Sequence, residues 1–189
     1  NILLDLPAGQ DSSSAASRLA RTALRISQNK AALRHDLMGR IYHWLLHDAK
    51  YLGTYYTSVA AATLLLRLTF STEKWPSMSW SDFETLSKFR VADLACGTGT
   101  LLMASSHAIS DNVIKTSVEN GDVVDEKFLR GLHQTLIENI LHGYDVIPSA
   151  VHLTAASLGL MAPEIAFRKM QLYSLPLGKM PKGEVYLGS

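Results

Sequence analysis

The sequence predicts a doubly wound α/β fold, and three adjoining observations carry that prediction. Val91 to Ala95 is a short apolar run of the kind that forms a buried strand. Cys96-Gly97-Thr98-Gly99 follows as a tight glycine turn, and from Leu101 the apolar spacing (LLMASSHAI) becomes that of a helix. A strand, a glycine turn and a helix N-terminus in succession make the corner at which such folds cradle a nucleotide. Glycine lets the backbone approach the ligand, and the helix end points free N–H groups at it. Asp93, at the end of the strand, can accept from a ligand ammonium or from the N–H groups of the turn.

The chain has 189 residues, enough for one domain with a sizeable core and a small appendage. Hydrophobic residues make up 47% and charged residues 19%, a globular composition. A net charge of +1 and a pI near 8.1 neither require nor exclude a nucleic-acid partner. The single cysteine, Cys96, rules out an internal disulfide framework and suits a reducing, cytoplasmic setting. The longest apolar run, Thr63 to Phe70, is interrupted by Arg67 and falls short of a membrane span. Asn1-Ile2-Leu3-Leu4-Asp5 lacks the charged start and long apolar stretch of a secretory signal. The chain starts without Met and stops at Gly188-Ser189 in mid-pattern, as expected of a piece of something longer.

Residues 1–12, with Pro7, Gly9 and a serine run, read as an irregular arm. Ser13 to about Gln28 has helical spacing, with Leu19, Ala23 and Ile26 on one side and a basic stripe of Arg18, Arg21 and Arg25. That stripe could contact phosphates, but a solvated helix surface accounts for it more simply. Ala31 to about His47 reads as a second helix whose apolar stripe is Leu33, Leu37, Ile41, Trp44 and Leu45. His43 and His47 are spaced as two metal ligands could be. No Glu follows His43 and no third ligand is apparent, so packing or surface histidines are the better reading and no metal is expected.

After Gly53-Thr54-Tyr55-Tyr56-Thr57-Ser58 comes an apolar helix, Val59 to about Phe70, with Thr57 or Ser58 as its natural N-cap. Residues 71–80 are a loop in which Trp75 and Trp80 suit a hydrophobic staple better than base stacking. Ser81-Asp82-Phe83-Glu84 is a capping-box string opening a short helix. Past the glycine turn a helix is expected to reach Ile109, and the polar stretch 110–125 reads as a surface loop. Glu126 to Asn139 is helical, with Phe128, Leu129, Leu132, Leu136 and Ile137 inward. Ile140 to Asp145 is a second strand, Ala150 to about Leu160 the next helix, with His152 and Thr154 read as structural residues on it. Ile165 to Tyr173 is a third strand, and Pro176 onward is loop and the beginning of another element.

The glycine turn is not that of a dinucleotide fold, because the third fingerprint glycine is replaced by Leu102 and the next strand-end acid, Asp145, lies far beyond about 20 residues on. The Gly-Lys-Ser/Thr of a phosphate loop is missing as well. The string Asp93-Leu94-Ala95-Cys96-Gly97-Thr98-Gly99-Thr100-Leu101 instead resembles the first motif of S-adenosylmethionine-dependent methyltransferases, and within them that of the N6-adenine DNA methylases of restriction–modification systems. The phrase ending Tyr55-Tyr56-Thr57-Ser58 is similar to the family's G-x-[FY]-[YF]-T-[PS] motif, with Ser58 in place of the common proline. Gly143-Tyr144-Asp145-Val146-Ile147-Pro148 is similar to its second motif, G-[YF]-[DE]-x-x-P. The three lie in the family's order.

The resemblance implies a Rossmann-like methyltransferase fold, of which this chain holds the first half. A helical N-terminal segment (1–52) precedes a cofactor-binding domain (53–189). S-adenosylmethionine is the implied cofactor. Asp93, Ala95, Cys96, Gly97, Thr98, Gly99, Thr100 and Leu101 would form its cradle, and Tyr56 and Thr57 would close over its methionine end. Asp145 would take both ribose hydroxyls, a task a carboxylate suits because it offers two acceptor oxygens, and Val146 would lie against the adenine. Alternatively, Asp145 only caps the helix it precedes. Where family members often carry an acid for the adenine amine, this chain has Tyr173-Ser174.

No two of the six prolines are adjacent, so the family's [NDS]-P-P-[YFW] catalytic loop is missing and no catalytic residue is assigned. By motif order that loop would follow a fourth strand beyond Ser189. Without that strand the edge at Val91 would be open, which implies self-association or a larger parent. DNA, through the full-length protein, and a specificity or restriction subunit are the other partners implied. A protein (glutamine) methyltransferase shares the motif order, and a non-catalytic DNA-binding or interaction module could keep the fold. Calorimetric titration with S-adenosylmethionine separates the last from the others.

Overall fold

Three short parallel strands in the order β1-β2-β3 position everything that follows: β1 (Val91–Asp93), β2 (Leu141–Asp145) and β3 (Gln171–Ser174). The register pairs Asp93 with Gly143 and Asp145 with Ser174, so β1 and β2 end at one rim of the sheet with an acid each. The computed structural model describes residues 57–175 and the backbone of 177–179 and 185–187. Nearer the N-terminus it describes Ser17, Arg18, 20–22, Leu24, Arg25, Gly39, Ile41, Tyr42 and Trp44. The chain divides into two units, Asn1–Leu37 and Met38–Ser189. In the first, the described residues are helical and exposed, Arg18, Arg21 and Arg25 among them.

In the second unit, Gly39, Ile41, Tyr42 and Trp44 are helical, but the two described members of the expected apolar stripe are not buried. Ile41 and Trp44 point outward, Trp44 being 82% exposed. The inward face is instead that of buried Gly39 and half-buried Tyr42, whose hydroxyl lies 2.9 Å from Ser149 Oγ. His43, His47, Leu33, Leu37 and Leu45 lie outside the described residues, as do Leu19, Ala23 and Ile26.

Helix α1 (Val59–Thr69) buries Ala62 and Leu66, one turn apart, against α3 (Thr100–Glu119), while Leu64, Leu65 and Leu68 remain exposed. Asn112 Nδ2 donates to the Phe70 carbonyl at 2.6 Å and satisfies the end of α1. Phe89 then gathers the aromatic residues of the connecting loop: Trp75 meets it edge-on at 5.2 Å, Phe70 at 5.9 Å and Trp80 at 6.3 Å. Such pairs add about 0.5–1.5 kcal/mol each beyond their burial. Trp80 is buried, so the two tryptophans are packing residues here.

Helix α2 (Phe83–Lys88) is capped by Asp82, which accepts from the N–H groups of Glu84 and Thr85, and not by a box built on Ser81. The Ser81 hydroxyl is taken by the Asn120 amide at 3.0 Å. The larger correction is α3, which continues ten residues past Ile109 through the stretch read as a loop. Its polar letters mislead because Ser105, Ser106, Ser110 and Ser117 are buried and share the inward side with Leu102, Ile109 and Val113. Gly121, at φ 82°, marks where the chain leaves the helix.

Helix α4 (Glu126–Thr135), capped by Asp125, runs into a π-helical turn over Leu136–Ile140. Within that turn Glu138 faces inward and accepts the Arg168 N–H at 2.8 Å, while its carbonyl accepts from Gln171 Nε2 at 3.1 Å. This explains why β3 starts at Gln171 and not Ile165: the Arg168 N–H is held by a side chain and not by a strand partner. Helix α5 (Pro148–Leu160) returns from β2 to β3. Two apolar clusters result, one among α1–α4 and one between the sheet and α3 and α5 around Leu102, Ile137, Leu141 and Leu158. Gly143, in the middle strand, has no room for a side chain: a Cβ there would lie 2.7 Å from Leu172 and 2.9 Å from Leu102. Beyond Leu175 the expected loop is an antiparallel pair, β4 (Leu177–Lys179) with β5 (Val185–Leu187), separate from the main sheet. Among the described residues, β1 is paired on one edge only, and no helix is long and apolar enough to cross a membrane.

Candidate functional site

The turn between β1 and α3 is held from three directions. Cys96 N–H donates to the Tyr144 carbonyl of β2 at 2.9 Å, and Gly99 N–H closes the turn onto the Cys96 carbonyl at 2.8 Å. Gly97 (φ 53°) and Gly99 (φ 87°) both adopt left-handed backbone, which explains glycine at these two positions. Gly99 is also the N-cap of α3. The Gly97 N–H reaches Asp145 Oδ2 at 2.8 Å, and its carbonyl accepts from Thr154 Oγ1, also at 2.8 Å. Asp145 Oδ1 accepts the Ile147 N–H at 2.9 Å, one residue before α5. The acid therefore ties the start of α5 to the glycine turn, and each of its oxygens keeps acceptor capacity.

A small cleft of about 40 Å³ opens above the turn, lined by Thr57, Asp93, Ala95, Cys96, Gly97, Thr98, Thr100 and Leu101. These eight of the twelve sequence-predicted residues are brought together. Gly99 lies beneath them, closed against Thr154. Asp145 joins through its bond to Gly97, and Val146 follows it, half-buried. Tyr56 lies outside the described residues. A Cβ built on Gly97 would meet nothing within 4 Å, so the space over the turn is open.

Burial, above all, pushes the Asp93 carboxyl above its usual range. The negative charge of Asp145 adds to this, and a bond from the Ala95 N–H at 3.2 Å opposes it. A half-buried carboxylate disfavoured in this way is a natural seat for a cationic ligand group. Cys96 differs: burial raises its thiol to about 11, and its sulfur packs 3.8 Å from Thr154 Oγ1, so it serves as an inert packing group. Ser174, opposite Asp145 across β2 and β3, is exposed, while Tyr173 stacks on Tyr144 at 5.2 Å. Thr154, read from sequence as structural, touches the turn directly. Nothing local in the sequence announces that contact.

A family model described as N-6 DNA Methylase matches residues 33–170, most of the chain and all of this cleft. No curated protein matches it.

Proposed function

The chain belongs to the N-6 DNA methylase family, and from that premise we propose that it is the cofactor-binding portion of an S-adenosylmethionine-dependent DNA methyltransferase acting on the N6 of adenine. Residues 53–189 are the Rossmann-like cofactor domain and 1–52 a helical segment before it. The setting is a cytoplasmic restriction–modification or phage-defence system, with DNA and a specificity or restriction subunit as partners of the full-length protein.

The observation that carries this reading is the pairing of a charge-disfavoured acid, Asp93, with an open glycine turn in one cleft. The residues fit the cofactor. Asp93 offers its carboxylate to the amino-acid ammonium, and Thr57, which also lines the cleft, offers a hydroxyl for the carboxylate, with Tyr56 beside it in sequence. Asp145, at the neighbouring strand end, accepts from the ribose hydroxyls with its remaining lone pairs. Val146 packs on the adenine, and Ser174, exposed opposite Asp145, or the backbone beside it accepts from the adenine amine. When bound, the cofactor supplies an electrophilic methyl on its sulfonium. The chain's part is to hold that methyl in a fixed direction, which is where positioning lowers a displacement barrier.

The test is calorimetric titration of the 189-residue chain with S-adenosylmethionine. A saturable one-to-one heat, abolished by Asp93→Ala, is expected; no heat and no thermal shift would sink the reading. Because the chain has no adjacent prolines, labelled S-adenosylmethionine should transfer no methyl to DNA in its presence.

A further inference from the structure

We propose that Thr154 is a positioning residue for the cofactor site: from the middle of α5 it fixes the conformation of the glycine turn so that the turn meets the ligand preformed. This rests on the reading of the cleft as an S-adenosylmethionine site. Thr154 is fully buried and lies more than fifty residues beyond the turn. Its hydroxyl donates to the Gly97 carbonyl at 2.8 Å, while Asp145 accepts the N–H of the same glycine at 2.8 Å. The Gly97 backbone is thus gripped on both polar groups, by the end of β2 and by α5, and a flip of either adjoining peptide would break one of the bonds. The methyl acts separately. A Cβ on Gly99 would lie 2.9 Å from Thr154 Cγ2 and 3.2 Å from Oγ1, so the side chain closes on Gly99 and backs the turn from beneath.

The physical need is plain. Gly97 and Gly99 both sit at positive φ, and glycine visits many other conformations at little cost. A turn with two such residues left alone would populate several shapes, and the ligand would have to select one, lowering apparent affinity by the competent fraction. The hydroxyl removes that freedom at Gly97 while the methyl packs beneath Gly99, and neither enters the cleft, which Thr154 does not line.

Three variants of the 189-residue chain separate positioning from mere packing. Thr154→Val keeps the shape and loses the donor, Thr154→Ser keeps the donor and loses the methyl, and Thr154→Ala loses both. Calorimetric Kd for S-adenosylmethionine is read well below each variant's melting temperature, together with Gly97 and Gly99 amide exchange by NMR without ligand. Losing a buried hydrogen bond of this kind should weaken binding about 5–10-fold in Thr154→Val and Thr154→Ala. Thr154→Ser should stay within about twofold of the parent although its melting temperature falls through the lost methyl packing. Exchange at Gly97 should quicken in the valine and alanine variants and not in the serine variant. If affinity merely follows melting temperature across the series, or if Thr154→Val binds as the parent does, the positioning role is overturned while the cofactor reading stands. If the parent binds no S-adenosylmethionine, the cofactor reading falls. The exchange rates then decide the clamp by themselves, and equal protection in all variants overturns it.

Discussion

Burial and the charge of Asp145 together hold the Asp93 carboxyl above its ordinary value of 3.8, against the one backbone N–H that favours ionisation. A raised folded-state value means that the native protein keeps the Asp93 proton longer than the unfolded chain does. The stabilising effect is complete below 3.8 and is lost as pH rises through the folded value, so at neutral pH the ionised side chain opposes folding. Asp93→Asn, nearly isosteric and uncharged, should therefore raise the melting temperature of the ligand-free chain at pH 7. It should also weaken S-adenosylmethionine about 10–100-fold, the loss of one charge-assisted contact. Scanning fluorimetry with and without ligand reads both, and a lowered ligand-free midpoint would show that the Ala95 N–H bond outweighs the burial. The two turn glycines should also part company. Alanine at Gly97 meets only the left-handed backbone penalty of about 1–2 kcal/mol. Alanine at Gly99 adds a collision with Thr154 at 2.9 Å, about 1–3 kcal/mol more; urea unfolding of both variants ranks them. Asp93, the glycines and Asp145 were legible because each lies in a short local string whose chemistry is explicit. Thr154 was not, since a hydroxyl on an apolar helix reads the same wherever its partner lies.

Helix α3 shows what pattern reading loses at the scale of an element. Its second half contains SDNVIKTS, polar enough to pass for a loop, yet Ser110, Val113 and Ser117 continue the buried face begun by Leu102, Ser106 and Ile109. Small hydroxyl residues fit where α1 packs closely on α3, and a periodicity of polarity alone cannot see them. The boundary of β3 was missed for a related reason: Glu138, inside a π-helical turn, takes the Arg168 N–H that a longer strand would have used. The strand–turn–helix sequence around Val91 and the end of β2 at Asp145 were legible because apolar runs there are bounded by glycine or proline. The serines carry a prediction. Ser106 and Ser117 are fully buried with hydroxyls that find no partner among the described residues, so each opposes folding through desolvation and through a helix propensity below that of alanine. Ser106→Ala and Ser117→Ala should each raise the urea unfolding free energy by about 0.5–1 kcal/mol with an unchanged m-value. A destabilised variant would mean that its hydroxyl is bonded after all.

A parallel sheet is ordinarily covered on its faces and paired along its length, and among the described residues β1 is paired on one side only. Along the free edge Leu65, Leu66 and Thr69 of α1 and Leu101, Leu102 and Ser105 of α3 flank Val91, Ala92, Asp93 and Leu94 in a continuous groove. Its outer members Leu65 and Leu94 are 55% and 63% exposed. Charge at an edge is the usual defence against pairing. Between Val91 and Leu94 the only charge is Asp93, which also lines the cleft over the glycine turn. The 189-residue chain should therefore self-associate through it, with sedimentation velocity giving a weight-average mass that rises with concentration across the micromolar range. Leu94→Lys and Leu65→Lys place a charge on the groove without touching the core. Each should return the chain to monomer while leaving its melting temperature within a few degrees of the parent, as for surface substitutions generally. Because Asp93 lines both the groove and the cleft over the glycine turn, association and S-adenosylmethionine binding should also be coupled, each altering the apparent affinity of the other by one common factor. A parent chain that stays monomeric throughout, or lysine variants that associate as the parent does, would show that this edge is not where copies meet.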